Sequence, residues 1–130
     1  MDNHEIELQE EIYFEGTTML PSVIFMKEGS MRIEGRIVPD NVVTFFAPLH
    51  QWVKNLKCSK VIFDVDIEYM NTNASAQLYL LLKGLNDNSI AKHIIVFWHY
   101  EEDDEEHYET GQLMAEKLDR IKFFYKSYVR

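Results

Sequence analysis

The residues whose types and spacing could do chemistry gather in one stretch, Asp64-Val65-Asp66-Ile67-Glu68-Tyr69-Met70-Asn71-Thr72-Asn73-Ala74-Ser75. Asp64, Asp66 and Glu68 are carboxylates at alternate positions, a set that serves acid–base chemistry when its members share a site. Thr72 is a hydroxyl between two asparagines, and all three are types that bond the unpaired N–H groups of a helix start. A helix start also carries the positive end of the helix dipole and so favours an anion, phosphate included. Two readings of Thr72 follow. As a cap, its contribution is ~1 kcal/mol. As a phosphoacceptor, it gains about −1.5 to −2 charges and three acceptor oxygens. On local sequence alone the cap is the simpler account. Which of Asn71, Thr72 and Asn73 is the cap stays open.

Other candidate chemistry is weaker. His99-Tyr100-Glu101-Glu102-Asp103-Asp104-Glu105-Glu106-His107 suggests a hard-metal site, because carboxylate oxygens suit Ca²⁺ or Mg²⁺. Its acids are contiguous rather than alternating and no glycine sits at the turn, so it fails the EF-hand pattern. A solvated helix start is the better account, and a partner-facing surface is the next. Cys58 lies between Lys57 and Lys60, neighbours that lower a thiol pKa. No histidine is near it in sequence, and a structural thiol is the expectation. The glycines are scattered, so no phosphate-binding loop is present, and no Ser-His-Asp or zinc-ligand pattern appears. The acids at 64, 66 and 68 are more simply explained as a strand face exposed near a sheet edge. Nothing here combines nucleophile, base and oxyanion donors.

Positioning these residues requires a strand that gives way to a helix. From Val61 to Tyr69 apolar residues alternate with polar ones, placing Val61, Phe63, Val65, Ile67 and Tyr69 on one face of a strand. The period then changes, and Ala74, Leu78, Leu81, Leu82 and Leu85 fall on one face of a helix that ends at Leu85-Asn86-Asp87-Asn88. Upstream, Glu11 to Phe14 reads as a short edge strand. Val23–Met26 and Met31–Ile37 read as a hairpin turning on Lys27-Glu28-Gly29-Ser30, with Gly29 at positive φ. Met31, Ile33 and Ile37 share a face, and Gly35 fits a bulge or a close contact. Pro39-Asp40-Asn41 opens a helix carrying Val42, Phe45, Phe46, Leu49, Trp52, Val53 and Leu56, which Pro48 should kink or divide. Ile94-Ile95-Val96-Phe97-Trp98 reads as a strand covered on both faces. A third helix with Tyr108, Gly111, Met114, Ala115 and Leu118 on one face follows the acids, and Ile121–Tyr125 forms a last short strand. The βαβ repeats imply parallel later strands with helices packed over them. The fold class is therefore α/β: a mixed β-sheet in a single domain spanning 1–130, with an N-terminal hairpin and about three helices, and with 1–10 loosely held.

Composition limits the function. One domain with one core suits 130 residues. A net charge of −9 argues against nucleic acid as partner but leaves a basic protein surface open. The charge is polarised, since Lys117–Arg130 holds five basic residues against Asp119. A single cysteine excludes an internal disulfide and fits a reducing compartment. No apolar run approaches a membrane span and the acidic start lacks a signal-peptide pattern, so a cytoplasmic protein is expected.

Several segments together resemble one family. Tyr13-Phe14-Glu15-Gly16-Thr17, Gly35-Arg36, Pro39-Asp40-Asn41, Phe46-Ala47-Pro48-Leu49 with Trp52, Glu68-Tyr69-Met70-Asn71-Thr72, and Trp98-His99-Tyr100-Glu101-Glu102-Asp103-Asp104-Glu105 are similar to the SiaC family of bacterial regulatory phosphoproteins. The likeness runs from about Tyr13 to the last strand. His99 stands where the family pattern has a second tyrosine. The resemblance implies a STAS-like fold and a non-enzymatic partner-switching role, with no cofactor. It implies that a cognate protein kinase phosphorylates Thr72 and a PP2C-type phosphatase reverses this. It also implies that the unphosphorylated form activates a diguanylate cyclase, in cyclic-di-GMP and biofilm signalling. Glu68, Tyr69, Asn71, Asn73, Ser75, Tyr100, Glu101, Glu102 and Asp103 become the expected partner contacts. The alternatives are a constitutive interaction module, or a metal- or small-molecule-binding domain that uses the acidic segment.

Overall fold

A computed structural model of the chain describes residues 10–129. The expectation of a loose start at 1–10 thus falls, apart from Glu10, outside the described residues. The elements run β1 (Ile12–Phe14), β2 (Ser22–Phe25), β3 (Ser30–Ile37), α1 (Val42–Asn55), β4 (Lys60–Met70), α2 (Thr72–Asn86), β5 (His93–Glu101), α3 (Glu105–Glu116) and β6 (Ile121–Tyr128). They build one six-stranded sheet in sequential order, β1-β2-β3-β4-β5-β6. β1–β2 and β2–β3 are antiparallel, and β3 through β6 are parallel. The expected mixed sheet, N-terminal hairpin and three helices are all present. No helix among the described residues is long and apolar enough to cross a membrane.

Sequential parallel strands joined by right-handed crossovers put every connecting helix on the same face of the sheet. Burial follows that layering. Val61, Phe63, Val65 and Ile67 on β4 and Ile94, Val96 and Trp98 on β5 are buried, while their alternate neighbours are partly open. α1 lays Phe46, Leu49, Trp52 and Val53 on this core, with Trp52 packed 5.1 Å from Phe25. α2 contributes Leu78, Leu81, Leu82 and Leu85, and α3 contributes Gly111 and Met114. At Gly111 a Cβ would lie 2.7 Å from the Trp98 indole, so only glycine lets α3 sit this close to β5. Glu10 is held, since its carbonyl accepts the Trp52 Nε1–H at 2.6 Å.

Several expectations are corrected. Among the described residues β5 is covered on one face only, and Ile95 and Phe97 lie on the other side. Its continuous apolar run therefore serves two different environments. Asp64, Asp66 and Glu68 are not near a sheet edge, because β4 is the fourth of six strands. Each has a cationic or histidine neighbour: Asp64 bonds His99 at 2.8 Å, Asp66 meets Arg32 at 3.4 Å, and Glu68 meets Arg36 at 3.8 Å. Tyr69 is not on the buried face but 49% exposed. The β3–β4 register slips between Gly35 and Arg36, where Gly35 takes φ +121°, and the alternation breaks there. α1 runs unbroken from Val42 to Asn55 with Pro48 inside, so the proline does not divide it. Leu118 is buried beyond the end of α3 rather than on its face. The last strand is not short but extends over eight residues, to Tyr128.

Candidate functional site

β4 leaves the sheet at Met70 and the chain turns directly into α2. Asn71 is the cap. It is extended at φ −79°, ψ 174°, and its Oδ1 accepts the Ala74 N–H at 2.8 Å. The first helical bond runs from Ser75 N–H to the Asn71 carbonyl at 2.9 Å. Thr72 is the first helical residue and is exposed. The capping bond is therefore made one residue earlier, which removes the structural role that sequence alone offered for its hydroxyl. α2 has no acid in its first turn, so its own side chains leave the positive end of the dipole uncompensated there. α3 starts differently, with Asp104 as cap and Glu105 and Glu106 in the first turn.

α1 and α2 pack together, but a groove of about 550 Å³ opens between α2 and α3. Thr72 and Ser75 line it, and so do Glu68, Tyr69 and Asn71 from the end of β4. Met70, Ala76, Tyr79, Leu113 and Met114 supply its apolar surface. Its charged lining is acidic at Glu68, Asp104 and Glu106, against Lys117, whose Nζ lies 5.9 Å from the Tyr79 ring centroid. Arg36 steadies the mouth, with its guanidinium 5.1 Å from the Tyr69 ring and 3.8 Å from Glu68.

His107 forms part of the wall. Its ring stacks on Trp98 at 4.9 Å. Its N–H donates to Asp104 Oδ1 at 3.0 Å, and its carbonyl accepts the Trp98 Nε1–H at 3.1 Å. Its Nε2 is buried without a hydrogen-bond partner among the described residues. Burial holds its pKa below the usual histidine value, against the opposing pull of Asp104 and Asp66. A proton on Nε2 would be a sealed, unpaired charge, so the ring stays neutral near pH 7.

Of the expected contacts, Glu68, Tyr69, Asn71, Thr72 and Ser75 come together in the groove. Asn73 is exposed in the same first turn but does not line it. Tyr100 and Glu101 end β5, and Glu102 and Asp103 form the turn before α3. These four lie at the same end of the sheet but outside the groove. The Tyr100 ring packs 4.8 Å from Tyr108. Among the described residues no cluster of three or more His, Cys, Asp or Glu side chains is arranged to hold a metal ion. Sequence reasoning missed Tyr79, His107, Leu113 and Lys117 as groove residues. For Tyr79, Leu113 and Lys117 the only sequence signal is helical spacing, as 75, 76 and 79 share a face of α2 and 106, 110, 113 and 117 a face running through α3 to its C-cap.

This arrangement defines a class, the two-layer α/β domains that offer an open helix start beside an interhelical groove. The chain belongs to the SiaC family of regulatory phosphoproteins, whose sequence profile matches residues 14–128. Among curated proteins nothing matches the chain. Apo-SiaC from Pseudomonas aeruginosa superposes with a TM-score of 0.80 at 18% identity, covering 90% of this chain and 98% of that one. SiaC crystallised with the diguanylate cyclase SiaD, as its activator, superposes equally well, with a TM-score of 0.80 at 18% identity over 90% of this chain and 99% of that one. At that identity the likeness fixes the fold.

Proposed function

We propose that this chain is a cytoplasmic, non-catalytic switch, acting as one domain over 1–130, that binds and activates a partner only while Thr72 is unphosphorylated. The family and the solved complex of SiaC with SiaD support a diguanylate cyclase as that partner. A cognate kinase and a PP2C-type phosphatase set the state of Thr72. The observation that carries this reading is the position of Thr72, exposed as the first residue of α2 on the rim of a groove lined in part by apolar side chains. Glu68, Tyr69, Asn71, Asn73 and Ser75 form the near contact surface. Tyr100, Glu101, Glu102 and Asp103 extend it along the same end of the sheet.

A phosphate on Thr72 is compatible with its own helix, because it meets the uncompensated N-terminus of α2. It is incompatible with a partner seated in the groove. It adds charge beside Glu68, Asp104 and Glu106, and docking would strip water from it against Met70, Tyr79 and Leu113. A penalty of ~3 kcal/mol is about a hundredfold in affinity. The expected result is that Thr72→Ala binds the cyclase as wild type does, while Thr72→Asp binds at least tenfold more weakly. Equal affinity for Thr72→Asp would remove charge at this position as the switch. Intact mass after incubation with the cognate kinase identifies the modification, and Thr72→Ala should stay unmodified.

A further inference from the structure

The groove between α2 and α3 has two unlike ends. Both helices follow parallel neighbouring strands, β4 and β5, and so run in the same direction. Glu68, Asp104 and Glu106 line the Thr72 end, where the helices start, and Lys117 lines the far end as the C-cap of α3. From Glu106 to Lys117 the groove runs roughly 16 Å along the helix. Tyr79, Leu113 and Met114 give it apolar surface on the way.

The acids are engaged within the chain. Glu68 meets Arg36 at 3.8 Å. The Asp104 carboxylate caps α3 by accepting the His107 N–H at 3.0 Å. Glu106 lies in the first turn of α3, where a negative charge offsets the helix dipole. Lys117 has no such occupation. It is exposed, and no carboxylate among the described residues forms an ion pair with it. Lys83, in the last turn of α2, is by contrast held by Asp87 at 2.9 Å. The Lys117 ammonium lies 5.9 Å from the Tyr79 ring centroid, so an aromatic face of the groove's own wall keeps that charge beside the apolar lining.

From this we infer that the partner segment docked in the groove carries an Asp or Glu side chain at the far end, paired with Lys117, and no negative charge at the Thr72 end. The inference rests on the groove being the docking site, as proposed above. A segment laid the other way round would set its carboxylate against Glu68, Asp104 and Glu106 and would cover Lys117 without a counter-ion. Both are costly once water is excluded. Lys117 therefore fixes the direction of the segment as well as adding to its hold. Negative charge is refused at one end of the groove and required at the other.

Calorimetric titration of the full chain with the proposed cyclase partner tests this, on variants with an unchanged circular dichroism spectrum. Lys117→Gln should weaken binding about tenfold and Lys117→Glu about a hundredfold, while Lys117→Arg, which keeps the charge, should stay within about threefold of wild type. One Asp→Lys or Glu→Lys change in the cyclase should restore binding to Lys117→Glu, which identifies the paired group. Equal affinity of Lys117→Gln and wild type overturns the inference, and so does failure of every such cyclase change to restore Lys117→Glu. If Thr72→Asp weakens binding and Lys117→Gln does not, the switch stands and the pairing falls. If the Lys117 series behaves as expected and Thr72→Asp binds as wild type does, the pairing stands and the switch falls. A wild-type chain that does not bind the cyclase removes both.

Discussion

Asn71 and Thr72 sit one residue apart and have separable physical roles. Asn71 caps α2 through its Oδ1, so Asn71→Ala should destabilise the fold by ~1 kcal/mol, read as a lower urea midpoint. Thr72→Ala removes no capping bond and should leave that midpoint within about 0.5 kcal/mol of wild type. Sequence placed the cap within three residues but did not resolve it, because asparagine and threonine bond a helix start by similar geometry. His107 was legible only as a bracket to the acidic run. Its real neighbours, Trp98 and the groove, are tertiary. Burial depresses its pKa, so the native state resists a proton that the unfolded chain accepts near pH 6.5. Its effect on stability is therefore flat above that pH, and stability falls as pH drops from about 6.5 toward the depressed native value. Denaturation at stepped pH should show this loss, and His107→Gln should flatten that part of the slope.

At the scale of elements, strands and helices were legible because their periods differ. β4 into α2 was clear from the change at Asn71, and the hairpin from the turn ending in Gly29-Ser30. β5 was misread for a physical reason. A run of apolar residues says that side chains avoid water, not which layer removes it from them. Ile95 and Phe97 are apolar without a helix above them. The bulge that Gly35 suggested is present, with the register shifting between Gly35 and Arg36, but Tyr69 was misplaced because the alternation along β4 does not show that the shift falls before it. Pro48 was expected to kink or divide α1, and it does not divide it. Packing of Phe46, Leu49, Trp52 and Val53 against the sheet outweighs one missing N–H. An interior proline still costs up to ~3 kcal/mol in a helix. Pro48 is exposed, and Pro48→Ala should raise the urea midpoint by an amount equivalent to about 1–3 kcal/mol. A lower midpoint would mean that α1 is shaped around the proline ring.

The whole molecule is electrically lopsided. The carboxyl ends of the parallel strands gather Glu68 and the run from Glu101 to Glu106, while Lys27, Lys54, Lys57, Lys60 and Lys92 sit at the opposite end. The acidic run was plain in the sequence. Its convergence with Glu68 was not, because that depends on β4 and β5 being parallel neighbours. A partner approaching the Thr72 end meets a concentrated negative field. Because added negative charge at Thr72 opposes docking, the partner surface that meets this end is apolar or acidic, and its association rate should rise when salt is raised from about 0.05 to about 0.5 M, with dissociation changing less. Stopped-flow mixing with the proposed cyclase partner separates the two rates, and a salt-independent association rate would show that the field plays no part in encounter.

The stacking of Trp98 on His107 gives the molecule an optical gauge of its own. An indole touching an imidazole changes its fluorescence when that ring gains a proton or shifts, and Trp98 is buried where bulk quenchers do not reach. Emission from this one tryptophan, isolated by Trp52→Phe, would therefore follow the wall of the groove in real time, with no dye attached, as a ligand enters or leaves.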